Sequence, residues 1–497
     1  MKRKYSSMLS GPLLPGIISY TIPIMLTSLL SLFFNAADLV VVGRFCGSNA
    51  IGAIGATGTL SGLLVFFISG LSMGSGVAAS HAIGSKNPQE VHRTVHTAIP
   101  LSILCGFLLL IVGVIGAKPL LRLMDTPETL LSNAALYMQI IFCGKPLDMV
   151  YAFSASILLA AGDPKGPLFY LSISGVLNVI LNVFFVTVFH MNVAGVALAT
   201  VISKIPSTVL VVLALMRRED ACRLDLKKMR IYKPQLMKII RIGVPAGAQN
   251  MLFSLSNVFI QSSINSFGDA VVSGNSAASN IGNFINCSFN AFQQTAINYI
   301  GQNTGAKQYR RVGQSYWACL GCASVLAILL GAVVYSFGKP LLSIYITDSP
   351  EAIEYGMIRL QYICLPYFLG ALMEVTTGAL RGLGRSTEPM VITVGGACGL
   401  RLLWIATVFQ WVHTLPCLYL SYPVTWLITF LCELAVFLHI YRKNSTVYKP
   451  PPPCELLRQR GIYYENQVSL YAARPAAVGH HHLYHTHYSY QCTAAAF

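Results

Sequence analysis

Charge is what this chain has least of. Only 10% of its 497 residues are Asp, Glu, Lys or Arg, where an average soluble protein carries about 25%. So few charges could not keep a folded surface in water, and 54% of the residues are hydrophobic. The water-soluble globular class is therefore excluded, and so is intrinsic disorder, except at the extreme C-terminus. Catalytic signatures are missing too. There is no Gly-x-x-x-x-Gly-Lys-Ser/Thr loop, hence no ATPase of the chain's own, and no His-Glu-x-x-His of a zinc protease. No nucleophile, metal or acid–base set has convincing spacing within the apolar runs. The chain reads as a non-enzyme without a cofactor or metal site. The 13 Cys are scattered with no spacing of a disulfide framework. Cys319-x-x-Cys322 lies in an apolar run and reads as packing.

What the chain has instead is long apolar runs of transmembrane-helix length. Twelve spans are expected, near 15–42, 50–80, 95–116, 133–158, 167–189, 193–215, 237–264, 271–301, 314–337, 355–378, 387–411 and 417–440. The apolar segment after Pro15 is long enough to span, so the basic Met-Lys-Arg-Lys start implies no cleavable signal. Net charge is +16, but it is spread over short loops, so nucleic acid is not the expected partner. With the N-terminus inside, the inside segments hold most of the Lys and Arg, and the outside loops hold only Arg44, Lys118, Arg122 and Lys339. That asymmetry puts both termini in the cytoplasm of a multi-pass protein of the cell membrane.

The chain also repeats itself. Gly84-Ser85-Lys86 before Val91 recurs as Gly305-Ala306-Lys307 before Val312, 221 residues on. Lys118-Pro119-Leu120-Leu121 recurs at Lys339 with the same spacing of 221, Thr126-Pro127-Glu128 at Ser349 with 223, and Pro23 at Pro245 with 222. Gly162 through Pro167 recurs as Gly384 through Pro389. The expected fold is all-α, with twelve transmembrane helices in two six-helix lobes around a central cavity. Six spans per copy make the repeat parallel, the arrangement of secondary transporters. The expected divisions are an N-terminus at 1–14, an N-lobe at 15–216, a basic linker at 217–236, a C-lobe at 237–443 and a disordered tail at 444–497.

Ionisable residues inside spans are costly, and each is a functional candidate. Asp38 is the only acid in the first 89 residues. It reads either as a cation- or proton-binding carboxylate or as a partner of nearby Arg44. Asn178 and Asn182 share a helical face, and Thr200 opens the sixth span. With Asp38 they make an oxygen-rich set suited to a hard cation, or to hydrogen bonding around a protonated carboxyl. In the eighth span Asn283, Asn286, Asn290, Gln294 and Asn298 form one amide stripe, expected to line a wet substrate cavity or to act as packing glue. Glu374 and Arg401 are expected to pair, as are Lys145 and Asp148. Lys204 and Glu433 have no evident partner. Pro23 is a candidate hinge. The tail holds His480, His481, His482, His485 and His487, but no fixed geometry to make them a metal site.

These residues carry a resemblance. Pro23, Asp38 with Val42-Gly43-Arg44, Asn178-x-x-x-Asn182 before Val193-Ala-Gly195 and Ala199-Thr200, Gly301-Gln302-x-x-Gly305-Ala306, and Leu380-Arg381-Gly382-x-Gly384 before Pro389 together look like the multidrug and toxic compound extrusion family. Within it the chain resembles the prokaryotic damage-inducible-F-like branch, over roughly residues 10–442. The resemblance implies two six-helix bundles around an alternately opening cavity, and export of organic, often cationic, compounds driven by protons or sodium. It places an N-lobe cation site at Asp38, Asn178 and Thr200. The chain departs from the pattern at Asn182, where many relatives have a second acid. It also lacks a seventh-span acid, and Glu374 lies about one turn from the expected tenth-span acid, so coupling through the N-lobe is favoured.

The leading expectation is thus a secondary antiporter that exchanges amphipathic, cationic organic compounds for H+ or Na+. The alternative is a flippase for lipid-linked precursors, which would want a strongly cationic cavity. A membrane enzyme and a non-transporting scaffold are the further readings, and the short loops offer the latter little docking surface.

Overall fold

The computed structural model describes residues 8–45, 48–124, 127–347 and 349–447. The basic residues at 2–4 and the His-rich tail lie outside the described residues. Among those described, every regular element is a helix. In the first half α1 is Leu13–Phe45, α2 Ser48–Gly84, α3 Pro88–Leu123, α4 Glu128–Cys143, α5 Lys145–Ala160, α6 Lys165–Thr187 and α7 Val193–Met216. In the second half α8 is Lys233–Asn265, α9 Asp269–Gly305, α10 Tyr309–Ser336, α11 Gly338–Ser343, α12 Pro350–Arg359, α13 Tyr367–Gly382, α14 Thr387–Thr393, α15 Arg401–Ala406, α16 Val408–Trp411 and α17 Leu415–Val447.

Eight of these segments are long and apolar enough to cross a membrane, and ten if two bent pairs each count as one span. The bends are 45° at Gly144, between α4 and α5, and 43° between Cys364 and Tyr367, leading into α13. Helices α8 and α9 are long, at 33 and 37 residues. They fall outside that count because amide and hydroxyl side chains dilute their apolar content. The twelve spans expected from sequence include both.

The duplication is visible in the backbone. Lys86 (φ 56°) and Lys307 (φ 58°) adopt the same left-handed conformation, as do Gly162 (φ 83°) and Gly384 (φ 80°). The breaks at Gly144 and Pro366 also correspond at the repeat spacing. Each half has its own apolar core. One runs from Ile68 to Ile239, and the other is built mainly from residues 260–437. The first half of α1 crosses over, and Ile17, Tyr20 and Ile24 are buried in the second core. The linker is tied to the N-lobe. Backbone N–H groups of Asp225 and Tyr232 donate to His96 Nε2 (3.1 Å) and Thr97 Oγ1 (3.1 Å).

The halves meet most closely where α2 crosses α8. A Cβ added at Gly70 would lie 2.2 Å from the Gly247 nitrogen, and one at Gly247 would lie 2.0 Å from the Phe67 carbonyl oxygen. Small residues at this helical spacing let two backbones touch, which is how membrane helices gain packing energy without a hydrophobic drive.

Two further inter-lobe bonds close the end that carries Lys86, Lys165, Lys307 and Arg385. His81 Nε2 meets the Gly382 carbonyl at 2.7 Å, and Gln302 Nε2 donates to the Ala160 carbonyl at 2.6 Å. His81 and Gln302 each stand three residues before a repeated glycine, and Ala160 and Gly382 each stand two before one. The latch is therefore two-fold. Gly70→Val is expected to cost about 1–3 kcal/mol by overpacking. Gly321→Ala, where a Cβ meets nothing within 4 Å, should leave the melting temperature unchanged or slightly raised. Thermal unfolding in detergent checks the pair, and equal melting temperatures would refute the glycine contact.

Candidate functional site

Four of the sequence candidates come together in the N-lobe. Asn182 Nδ2, from α6, donates to Asp38 Oδ1 on α1. The same amide reaches Asn178 Oδ1 at 3.5 Å, and Asn178 Nδ2 points to Thr200 Oγ1 on α7 at 3.4 Å. Asn182 is fully buried and Asn178 nearly so. The helical spacing of four residues stacks these two amides on one face of α6. Asn182 Oδ1 has no hydrogen-bond partner, so the cluster holds an oxygen with an open lone pair beside a carboxylate. Tyr137 and Lys204 lie close enough to interact electrostatically with Asp38.

A second cluster sits beside the first. Lys145 Nζ is 2.9 Å from Asp148 Oδ2, the pair expected from sequence, and Lys204 Nζ is 2.6 Å from Asp148 Oδ1. Lys204, which had no evident partner in the sequence, thus shares Asp148 across 56 residues. The cluster reads as Lys–Asp–Lys, with Asp38 as the second carboxylate in electrostatic reach of Lys204.

Helix α1 joins this site to the other lobe. Asp38 is at its far end. Toward its start Thr21 Oγ1 and Thr295 Oγ1 share a hydrogen bond of 2.8 Å, and Tyr20 OH accepts from Asn298 Nδ2 at 3.0 Å. Pro23 lies between the two attachments, in a helix that runs unbroken through it.

The amide stripe of α9 does not face one environment. Asn283 and Asn286 line a cavity of about 220 Å³. Asn290 is exposed and donates to Asn286 Oδ1 at 2.8 Å. Gln294 is half-buried and does not line the cavity, and Asn298 is fully buried against Tyr20 and Ser80. All of the cavity's lining residues fall between Phe253 and Trp426. It lies inside the C-lobe, whereas the expected cavity lay between the lobes. A helix of 37 residues passes from one packing environment to another, which explains the division of the stripe.

The expected Glu374–Arg401 pair is not formed. Glu374 accepts from Gln293 Nε2. Arg401 lies 4.1 Å from the centre of the Tyr422 ring and donates to Thr425 Oγ1 at 3.3 Å. The π-helical stretch Val394–Leu400 precedes Arg401. The pair was expected because either charge buried alone would be costly, and neutral partners meet that cost instead. Glu433, unassigned from sequence, is fully buried and accepts from Thr377 Oγ1 (2.8 Å) and Thr393 Oγ1 (2.9 Å). Gln249 extends this network, donating to Thr393 Oγ1 at 3.0 Å and accepting from Arg381 Nη2 at 2.9 Å. Sequence reasoning missed it. The signal was present in two intramembrane charges, Arg381 and Glu433, but they lie 52 residues apart and their hydrogen bonds run through neutral side chains. Cys319 and Cys322 are free thiols.

A profile of the MatE family matches twice, at residues 23–184 and 245–406. The chain is 26% identical over 437 residues to "Probable multidrug resistance protein YoeA" of Bacillus subtilis, covering 86% of this chain and 94% of that protein. It is 28% identical over 406 residues to "Probable multidrug resistance protein YpnP" of the same organism, covering 81% and 89%. The fold matches an outward-facing multidrug resistance MATE transporter structure with a TM-score of 0.83 at 16% identity, over 90% of this chain and all of that one.

Asp148 carries the charge balance of the second cluster. Asp148→Asn is expected to destabilise the protein, by about 2 kcal/mol for this partly exposed set, because it leaves two ammonium groups without their shared anion. Adding Lys204→Gln should recover part of that loss. A double-mutant cycle of melting temperatures checks this, and strictly additive losses would refute the shared bridge.

Proposed function

The chain belongs to the MatE family, a family of membrane transporters and not of enzymes, and on that premise we propose that it is an ion-driven antiporter exporting amphipathic organic compounds. The observation that carries this reading is the double attachment of α1. One end of that helix is bonded into the Asp38–Asn182–Asn178–Thr200 cluster, and the other is bonded to Thr295 and Asn298 of the opposite lobe. A ligand that changes the first attachment can act on the second, with Pro23 as the point where the helix yields.

The coupling ion is H+ or Na+, taken by Asp38 with the oxygens of Asn178, Asn182 and Thr200. The open lone pair of Asn182 Oδ1 supports an ion with more than one oxygen ligand, and the nearby Lys204 opposes one of high charge. In this reading the latched end is cytoplasmic, because the Lys- and Arg-rich loops lie there. Both termini are then cytoplasmic, all twelve expected spans cross the cell membrane, and the structure stands in an outward-facing state. Ion binding at Asp38 favours one state of α1 and substrate favours the other. Exchange requires that difference, since a ligand with equal affinity for both states shifts nothing. The names of the multidrug resistance relatives support small organic substrates and disfavour the flippase. Lipophilic cations are the first class to test, with Glu374 and the amides of α9 on the cavity wall.

The test is efflux of a fluorescent lipophilic cation from vesicles loaded with native protein or Asp38→Asn, under pH and sodium gradients imposed separately. Gradient-driven efflux by the native protein should fall at least tenfold in Asp38→Asn, and the effective gradient names the ion. Undiminished transport in the variant would remove Asp38 from the mechanism.

A further inference from the structure

Each lobe holds a version of one site, and the two versions have diverged. At the repeat spacing of 222 that relates the two matched stretches, Asp38, Lys145 and Asp148 correspond to Ile260, Tyr367 and Gly370, and the same spacing carried onward relates Thr200 and Lys204 to Tyr422 and Trp426. All five of those C-lobe residues line the cavity of about 220 Å³. Two carboxylates, two ammonium groups and a hydroxyl in one lobe are replaced by an aliphatic side chain, three aromatic rings and a glycine in the other. The N-lobe set bridges its own space with ion pairs. In the C-lobe the aspartate position is Gly370, which carries no side chain, and the space is open.

One cation reaches this space from outside the replaced set. Arg359, at the end of α12, lines the cavity and is 8% exposed. Its Nη1 donates to Asn275 Oδ1 at 2.5 Å and its Nη2 to Ser279 Oγ at 3.4 Å, and the Tyr419 ring lies 5.7 Å away. These partners are neutral, and no carboxylate pairs with Arg359 among the described residues. Two of the five N–H groups of a guanidinium are thus engaged by neutral partners, in a side chain that lines the cavity. Among the described wall residues the one carboxylate, Glu374, lies 15 residues further along the bent helix pair and is held by Gln293. A buried guanidinium without a counter-charge is costly, and a planar oxyanion matches its donor fork.

The rest of the wall is built for flat rings. Tyr367 and Trp426 have centroids 5.5 Å apart and planes 30° from parallel, and Phe289 meets Tyr367 at 5.7 Å. Tyr422 is backed by Arg401. We propose that this cavity binds a planar aromatic compound carrying a carboxylate, with its rings against Tyr367 and Trp426 and its carboxylate on Arg359. Its role as a substrate site rests on the transporter reading, whereas the binding itself does not. It adds aromatic acids and zwitterions to the cations expected from the amides and Glu374.

Equilibrium binding of anthracene-9-carboxylate and of 9-anthracenylmethylammonium to the full chain in nanodiscs tests this. The readout is energy transfer to anthracene in a variant that keeps Trp426 as its only tryptophan. The carboxylate is expected to bind at least tenfold more tightly than the ammonium. Arg359→Gln should weaken carboxylate binding about tenfold or more, as loss of a charge-assisted contact does, and should leave the ammonium within about twofold. Equal affinity of the two probes in the Trp426-only protein that keeps Arg359 overturns the proposal even if the Arg359 variant fails to fold. So does a carboxylate affinity that Arg359→Gln leaves unchanged. No gradient is imposed, so failure of dye efflux with carboxylate binding intact would sink the antiport reading alone.

Discussion

A polar group inside a bundle surrounded by lipid has no water to fall back on, and its partner must come from the protein. That constraint decides more of this structure than apolar packing does, because the apolar residues have no strong reason to prefer each other over lipid tails. Polar attachments define which helices meet. Asp38 fastens α1 to α6, Asp148 fastens α5 to α7 through Lys204, and Glu433 fastens α17 to α13 and α14. Between the lobes the same rule applies at Thr21–Thr295, Tyr20–Asn298 and the two latch bonds. Glycine supplies the remaining specificity. Where α2 and α8 touch, the missing side chains let the backbones approach.

The latch shows how a duplicated chain uses its symmetry. His81 and Gln302 differ in chemistry but fill the same place, and each meets a carbonyl at the end of the opposite lobe's α5 or α13. Such carbonyls have no partner within their own helix. Meeting them from the other lobe therefore satisfies an orphaned group and joins the lobes in one contact. Because the contacts come in a matched pair about the pseudo-two-fold, any opening of this end would have to break both.

The duplicated architecture was legible because it leaves linear traces: repeated Gly-x-Lys turns, matched prolines and apolar runs of spanning length. The N-lobe cluster was legible for a related reason. Its amides are four residues apart on one helix, and its carboxylate is isolated in a long acid-free stretch. Contacts made through neutral intermediates were not legible. The hydrogen-bonded path from Glu433 to Arg381 runs by way of Thr393 and Gln249, and no spacing in sequence announces such a chain. The Glu374–Arg401 pairing failed because each charge has neutral partners of its own, Gln293 for Glu374 and the Tyr422 ring and Thr425 for Arg401, and sequence spacing announces neither. The amide stripe was real as a helical pattern, yet period alone says nothing about what each turn will face along a helix this long.

The duplicated sites meet different demands, and the difference bears on how coupling can work. An ion-coupled exchanger needs one place that distinguishes a small ion and another that accepts bulkier, more varied molecules. If both copies of a site kept their charges, the two lobes would compete for the same ion, and neither would have room for an organic ring. The N-lobe copy keeps the carboxylates and ammonium groups at close range. The C-lobe copy gives up those charges for aromatic surface and open volume. The two are then linked mechanically by α1, whose start is buried in the second core and whose far end carries Asp38. An ion in one lobe and an organic molecule in the other need never touch. On the antiport reading they would compete through the position of a helix that belongs to both.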